Sequence, residues 1–307
     1  MPDKPATSEN ELTIDGRRLT VSRLSKVLYP AAGFTKGQVI DYYIRISPVL
    51  LPHLHDRLLT LKRYPDGVGG GFFYEKRCPP YRPAWIKTAP MWSEGNNEHI
   101  HFCVASNLAS LVWAANLADL ELHTYLCRIA DVDSPTLLVF DLDPGPPANI
   151  VQCAKAAFLL KDALDRVGLA SFPKTSGSKG LQLYVPLNRK TTYEQTKGLA
   201  RDLAEKLARD HDDLIVAKMQ KALRRGKVLI DWSQNDRNKT TICVYSLRAQ
   251  EHPTVSTPVS WEEVDQALKI GDPAKLRFVS DDVLRRVEGR GDLFAEVLTL
   301  KQKVSPS

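Results

Sequence analysis

Apolar and polar residues alternate over several short stretches of this chain. Over longer stretches the apolar ones recur every three to four residues. The first period is that of a half-buried strand, the second that of an amphipathic helix. "LTIDGRRLTVS" alternates on both sides of Asp15-Gly16 and predicts a hairpin. Helical spacing begins after Thr35 in "TKGQVIDYYIRISPVLL", with Thr35 as the N-cap. "LLTLKRYP" reads as a strand carrying Lys62 and Arg63, and "GVGGGFFYEKR" as a glycine loop running into aromatics. A helix is predicted from Ser106, in "SNLASLVWAANLADLE", then a strand at "LELHTYLC".

Residues 136–143, "TLLVFDLD", predict the next strand. A helix follows from Asn149 to Val167, stopped by Gly168. "KTSGSKG" then turns into the strand "LQLYVPL", and Thr191 with Glu194 has the spacing of a capping box for a helix ending near residue 210. Two short apolar runs, "KVLIDW" and "TTICVYSLR", close the compact part. After Arg248 the chain is turn-rich, with short helices predicted near Ser260 and Ser280. Residues 1–12 are polar and predict disorder. The order implies an α+β fold, with mixed or antiparallel central sheets flanked by helices. It divides into an N-terminal subdomain (13–105), a catalytic core (106–250) and C-terminal helices (251–307).

Composition narrows the classes. At 43% hydrophobic and 25% charged over 307 residues, the chain has material for a sizeable core. The net charge of +6 mildly favours a polyanionic partner. Five cysteines, an odd number without a CxxC, argue against a disulfide framework and a cysteine zinc site, and favour a reducing compartment. The N-terminus lacks the apolar core of a signal peptide, and no apolar run is long enough to span a membrane, so a cytoplasmic, nucleoid-associated protein is expected.

The chemistry concentrates where the strand "TLLVFDLD" ends. Asp141 and Asp143 are two apart on a strand and point the same way. Carboxylates this close repel unless a cation lies between them, and oxygen ligands suit a divalent metal. A lone DxD is equally compatible with solvated turn aspartates. Asp231, which ends the strand in "KVLIDW", supplies a third acid. Three acids at two strand ends are what a two-metal phosphoryl-transfer site requires.

"KTSGSKG" offers small hydroxyl residues, glycines and Lys179, which suit phosphate oxygens, although a plain tight turn explains it too. Arg248 ends a strand within reach of the same region, or is a solvated strand-end charge. His123 alone reads as a structural strand histidine, and "HIH" at 99–101 as a strand face without a third metal ligand.

"VFDLDPG", then "TSGSKGL", "IDWSQN" and "TTICVYSLR", preceded by "LSKVLYPAAGFTK", "LKRYPDG" and "FYEK", resemble the polymerase domain of bacterial DNA ligase D, of the archaeo-eukaryotic primase superfamily. The seven blocks keep the family's order and spacing from about residue 18 to Arg248. The resemblance implies a primase-polymerase fold and a metal-binding triad of Asp141, Asp143 and Asp231, holding two Mn2+ or Mg2+ ions. It implies that Ser176, Lys179 and Arg248 hold the triphosphate, and that Lys62, His123 and Gln234 line the nucleotide site. It assigns Lys26 and Lys36 to a 5′-phosphate on downstream DNA, and Phe73 and Tyr74 to template bases. Arg63 and Arg224 are counted with these DNA-side residues. Gln182 departs from the pattern, which has histidine there. An amide donates a hydrogen bond but carries no charge, so an active but weakened nucleotide site is expected.

The expected activity is templated addition of NTPs or dNTPs to gapped or recessed DNA ends in end joining. Ku and an ATP-dependent DNA ligase are the implied partners, and the resemblance implies a ribonucleotide preference. No ligase motif is visible, so a stand-alone or excised domain is expected. Two rivals stand beside this reading. One is a weakened DNA-end binder of the same fold, favoured by Gln182. The other is a DxD-dependent nucleotide-sugar transferase, disfavoured by the third acid and by the basic residues paired with aromatics.

Overall fold

The computed structural model describes residues 9–304. Its strands in chain order are β1 (Glu9–Ile14), β2 (Arg17–Ser22), β3 (Val27–Tyr29), β4 (Phe34–Thr35), β5 (Leu59–Arg63), β6 (Phe73–Glu75), β7 (Thr88–Ser93), β8 (Glu98–Cys103) and β9 (Asp119–Thr124). There follow β10 (Cys127–Arg128), β11 (Asp131–Pro135), β12 (Leu137–Pro144), β13 (Phe172–Thr175), β14 (Leu181–Pro186), β15 (Ile215–Val216), β16 (Val228–Asp231) and β17 (Thr241–Ile242). The helices are α1 (Lys36–Leu54), α2 (Leu108–Asn116), α3 (Ile150–Arg166), α4 (Tyr193–Asp210), α5 (Trp261–Ile270) and α6 (Ser280–Arg290).

Two sheets organise the fold, one wholly antiparallel and one mixed, in an α+β arrangement as expected. The first has the order β17-β9-β5-β8-β7, with β6 also paired to β5, so it draws strands from both sides of residue 105. The second has the order β13-β14-β12-β16-β15, antiparallel except for β15 with β16. Alternation along β12 and β14 sends Leu138, Phe140, Leu142, Leu181, Leu183 and Val185 into a core shared with α3, α4 and α5. The opposite face carries Val139, Asp141, Asp143, Gln182 and Tyr184. It looks toward the first sheet, because Tyr184 Oη donates to the Ile242 carbonyl of β17 at 3.2 Å.

Local sequence explains most helix starts. Thr35, Asn107, Asn149 and Ser260 each cap a helix with the side chain accepting a backbone N–H, as their positions before an apolar run imply. Several expectations need correction. The hairpin strand begins at Glu9, so residues 9–12 are ordered, because β1 pairs with β2 from Glu9 onward; residues 1–8 lie outside the described range. The capping box of α4 is Thr192 with Gln195, one residue later than Thr191 with Glu194, and Thr191 Oγ1 donates instead to Gln195 Oε1 at 3.0 Å. Helix α2 stops at Asn116, where Ala118 takes a positive φ of 58° and redirects the chain into β9. "TTICVYSLR" yields a two-residue strand and then an irregular stretch whose backbone bonds to residues 254–256.

Cys78 and Cys103 form a disulfide, contrary to the expectation of none. The segment after β6 runs beside the end of β8, where the Cys78 N–H donates to the His101 carbonyl at 2.7 Å. Their separation of 25 residues gave no cue. The cysteine count therefore no longer argues for a reducing compartment. Non-reducing peptide mapping should recover these two linked. Cys127, Cys153 and Cys243 are free and buried, and should alkylate only after denaturation.

Candidate active site

The register of the second sheet builds one side of the site. Asp141 of β12 lies opposite Asp231 of β16 and, on its other flank, opposite Gln182 of β14. Directly opposed residues share a face, so Gln182, Asp141 and Asp231 stand in line, with Asp143 two residues along. Burial pushes the Asp141 carboxyl up to about 6; Asp231 and Asp143 add to the rise and a hydrogen bond from Gln182 opposes it. Asp231 accepts from Ser233 N at 2.8 Å and from Gln234 Nε2 at 3.1 Å, which seats Gln234 against the acids. The fully buried Asn235 clamps this turn to β12 by accepting from Val139 N at 2.8 Å and donating to Val139 O at 2.7 Å. Arg224 lies 3.7 Å from Asp143. Its backbone passes so close to Gly145 that a Cβ there would stand 1.9 Å from the Arg224 carbonyl oxygen, so the turn after the acids requires glycine.

These donors fit a divalent cation chemically. They are all carboxylate oxygens, and a cation would relieve the crowding recorded by Asp141. They are not preassembled. Among the described residues no group of three His, Cys, Asp or Glu is arranged to hold an ion. Asp143 instead faces Arg224, and Asp231 caps its own turn.

The first sheet builds the other side. Register sets Tyr74 of β6, Lys62 of β5 and Glu121 of β9 in a second line. Glu121 is 1% exposed, and three basic side chains meet on it: Lys62 Nζ at 3.0 Å, His123 Nε2 at 3.0 Å and Arg248 Nε at 3.3 Å. Burial alone would raise the Glu121 pKa; the His123 hydrogen bond and the charges of Arg248, His123 and Lys62 hold it well below the usual carboxylate range. Burial lowers His123 against the pull of Glu121. Lys62 Nζ also lies 4.6 Å from the Phe72 ring centroid and 5.6 Å from that of Tyr74.

Arg248 joins the two sides. Its Nη1 donates to the Ser176 carbonyl at 3.0 Å. The Ser176 hydroxyl accepts from Ser178 N at 3.2 Å and Gly180 N at 3.1 Å, folding the loop on itself. Gly177 takes a φ of 69° with Arg248 Cγ 2.7 Å from where a Cβ would be, so a side chain there would displace the arginine. Gln182 Nε2 donates to Thr241 Oγ1 of β17 at 3.3 Å.

The structure thus brings together Asp141, Asp143, Asp231, Gln182, Gln234, Lys62, His123, Ser176 and Arg248. Lys179 stands apart at the exposed loop tip, beside a hollow of about 420 Å³ that Asn149 and Arg277 also line. Lys26, Lys36 and Arg63 line a separate pocket of about 270 Å³ with Arg23 and Asn116. Lys26 pairs with Asp66 at 3.0 Å, and Lys36 Nζ donates to the Ser22 carbonyl at 2.7 Å. Burial, then Arg23, Lys26 and Arg63, push the Lys36 ammonium down to about 8. Arg63 is held by Glu75 at 2.7 Å and lies 5.2 Å from the Phe73 ring centroid. Phe73 is exposed; Tyr74 packs its edge against His123 at 5.8 Å and so belongs as much to the cluster on Glu121.

Glu121, Asn235, Phe72 and Arg23 escaped the reading of the sequence. Glu121 had a usable signal: it stands two residues before His123 in "LELHTY", so both face the same way.

The sequence profile of the LigD primase-polymerase domain matches residues 35–294. The chain belongs to that family. The Mycolicibacterium smegmatis multifunctional non-homologous end joining protein LigD is 39% identical over 280 residues, covering 91% of this chain and 36% of its own length. The Bacillus subtilis bifunctional non-homologous end joining protein LigD is 34% identical over 275 residues, 89% of this chain and 43% of that protein. The chain therefore spans about a third to two fifths of these curated relatives. Among solved structures, the polymerase domain of Mycobacterium tuberculosis ligase D in complex with DNA superposes with a TM-score of 0.86 at 38% identity, over 93% of this chain and 99% of that one. Membership removes the nucleotide-sugar transferase reading and makes a nucleotidyltransferase the class of the site.

Replacing Glu121 by Gln leaves Lys62 and Arg248 crowded in a nearly dry space without their counter-ion, and His123 without its charged partner. A loss of about 3 kcal/mol in unfolding free energy is expected, measured by urea melts at pH 7. A carboxyl held below its unfolded value stabilises fully above that value. The difference from wild type should therefore be complete above the ordinary value of 4.5 and shrink as pH falls below it.

Proposed function

We propose that this chain is a DNA-templated nucleotidyltransferase acting on gapped or recessed ends in non-homologous end joining. The observation that carries this reading is the pairing of two lines on linked sheets. Carboxylates on β12 and β16 face cations gathered by Glu121 on β5 and β9, and Arg248 reaches between them.

In this reading the triphosphate lies along Lys62, His123, Arg248 and the Ser176 loop. Lys62 and Arg248 offset its charge, and Gln182 and Gln234 donate amide hydrogens near the α-phosphate. A primer 3′-hydroxyl attacks the α-phosphorus, its bond to the β-phosphate oxygen breaks, and pyrophosphate leaves. Asp141, Asp143 and Asp231 would hold Mn2+ or Mg2+, which lowers the pKa of the attacking hydroxyl and offsets developing charge. The chain's own contribution is position and electrostatics, with no covalent intermediate. For loading, Asp143 must exchange Arg224 for metal, and Asp231 must turn from Ser233. The pocket of Arg23, Lys26, Lys36 and Arg63 suits a 5′-phosphate, and exposed Phe73 suits a template base. Ku and an ATP-dependent DNA ligase are proposed partners, with the nucleoid as the place of action; no described helix is long and apolar enough to cross a membrane.

The engaged carboxylates favour a second reading, a DNA-end binder with an idle site. Primer extension on a gapped, 5′-phosphorylated duplex with Mn2+ separates the two, run with NTPs and dNTPs in parallel. Extension by the wild type, abolished in Asp141→Ala with DNA binding largely kept, is expected, because affinity comes mostly from phosphate contacts elsewhere. Binding without extension would leave the end-binder reading.

A 5′-phosphorylated gap should bind more tightly than a 5′-hydroxyl gap, and the preference should shrink in a Lys26→Ala, Lys36→Ala double variant. Lys36 loses its proton as pH rises through about 8. The preference should therefore be larger at pH 7 than at pH 9, as read by fluorescence anisotropy. Equal binding of both substrates at pH 7 would remove the 5′-phosphate assignment.

A further inference from the structure

The line of acids continues past Gln182 to a residue with no assigned task. Lys174 of β13 lies opposite Gln182 of β14, so Lys174, Gln182, Asp141 and Asp231 form one row across four strands. Lys174 is 0% exposed. Its Nζ donates to Ser256 Oγ at 2.5 Å and stands 5.2 Å from the Tyr184 ring centroid. It makes no ion pair among the described residues. An ammonium has three donors, and sealing one with a single bond and no counter-ion is costly. As packing alone, a methionine would serve better.

Its neighbour is incomplete in the complementary way. Gln182 is buried, its Nε2 donates to Thr241, and its Oε1 has no hydrogen-bond partner. An underused donor and an orphaned acceptor therefore sit on directly opposed residues, with Cβ atoms about 5 Å apart. A lysine side chain spans that gap. Asp141 is the next residue in the row, and Arg248 lies near enough to bear on the Lys174 charge.

We infer that Lys174 is a positioning residue for nucleotide transfer. Its ammonium turns the Gln182 amide so that the NH2 faces Asp141 and the triphosphate, and it lends the row the positive charge that glutamine lacks. This rests on the nucleotidyltransferase reading above. Burial holds the ammonium down to about 7, and an arriving triphosphate favours its protonated form.

A cation at this place attracts a triphosphate and repels a divalent ion at the acids, so its removal has opposite signs for the two ligands. Lys174→Met should weaken ATP binding, measured by calorimetry in EDTA at pH 7, by roughly fivefold. The same change should tighten Mn2+ binding to nucleotide-free protein, read from the paramagnetic resonance of free Mn2+, by a similar factor. Lys174→Arg keeps the charge and should hold both affinities near wild type. Met weakening both ligands together, or moving neither, would overturn the inference. So would an Arg variant no better than Met. Thermal melts accompany each variant, and if Met does not fold, the Arg measurement decides alone: retained affinities support the role and their loss overturns it. Wild-type protein that binds neither ATP nor Mn2+ sinks the nucleotidyltransferase reading itself. Wild-type binding of both, with unmoved variants, sinks only the role of Lys174.

Discussion

Glu121 places one negative charge where almost no water reaches, and Lys62, His123 and Arg248 converge on it from β5, β9 and the stretch after β17. Such a group is strongly favourable only when every member is present, because Lys62 and Arg248 left without the carboxylate would repel each other and His123 would lose its hydrogen-bond partner. The carboxylate also accepts from the Ala249 backbone at 3.0 Å, which fixes the chain just past Arg248. Arg248 in turn holds the Ser176 loop, so the position of that loop's backbone is inherited from one buried side chain on another sheet.

Sheet register does for the acids what Glu121 does for the cations. A slip of one residue between β12 and β16 would send Asp231 to the face packed on α3 and α4, so the apolar residues on that face fix the acids indirectly. Leu138, Phe140, Leu142 and Ile230 are fully buried there. The chemistry of one face is thus specified by the hydrophobicity of the other.

Much of this was legible in the chain. Alternation in "TLLVFDLD" put Asp141 and Asp143 together, strand ends picked out Asp231 and Arg248, the glycine turn "KTSGSKG" pointed to Ser176, and the family resemblance singled out Lys62 and His123. What was hidden depended on partners distant in sequence. Glu121 and Asn235 look ordinary until the folded neighbours are known, since a buried acid in a strand is distinguished only by what meets it. The pairing of Cys78 with Cys103 likewise requires knowing that an irregular segment runs along the end of β8. The capping box at Thr192 was missed by one position because two adjacent threonines compete for the same role, and the glutamine at 195 serves both.

Three bonds cross the space between the sheets: Gln182 to Thr241, Tyr184 to the Ile242 carbonyl, and Arg248 to the Ser176 carbonyl. They tie the two sheets to each other directly. The spacing between acids and cations is consequently set by these three links. Loosening either of the first two would move the acids relative to the cations without touching either group.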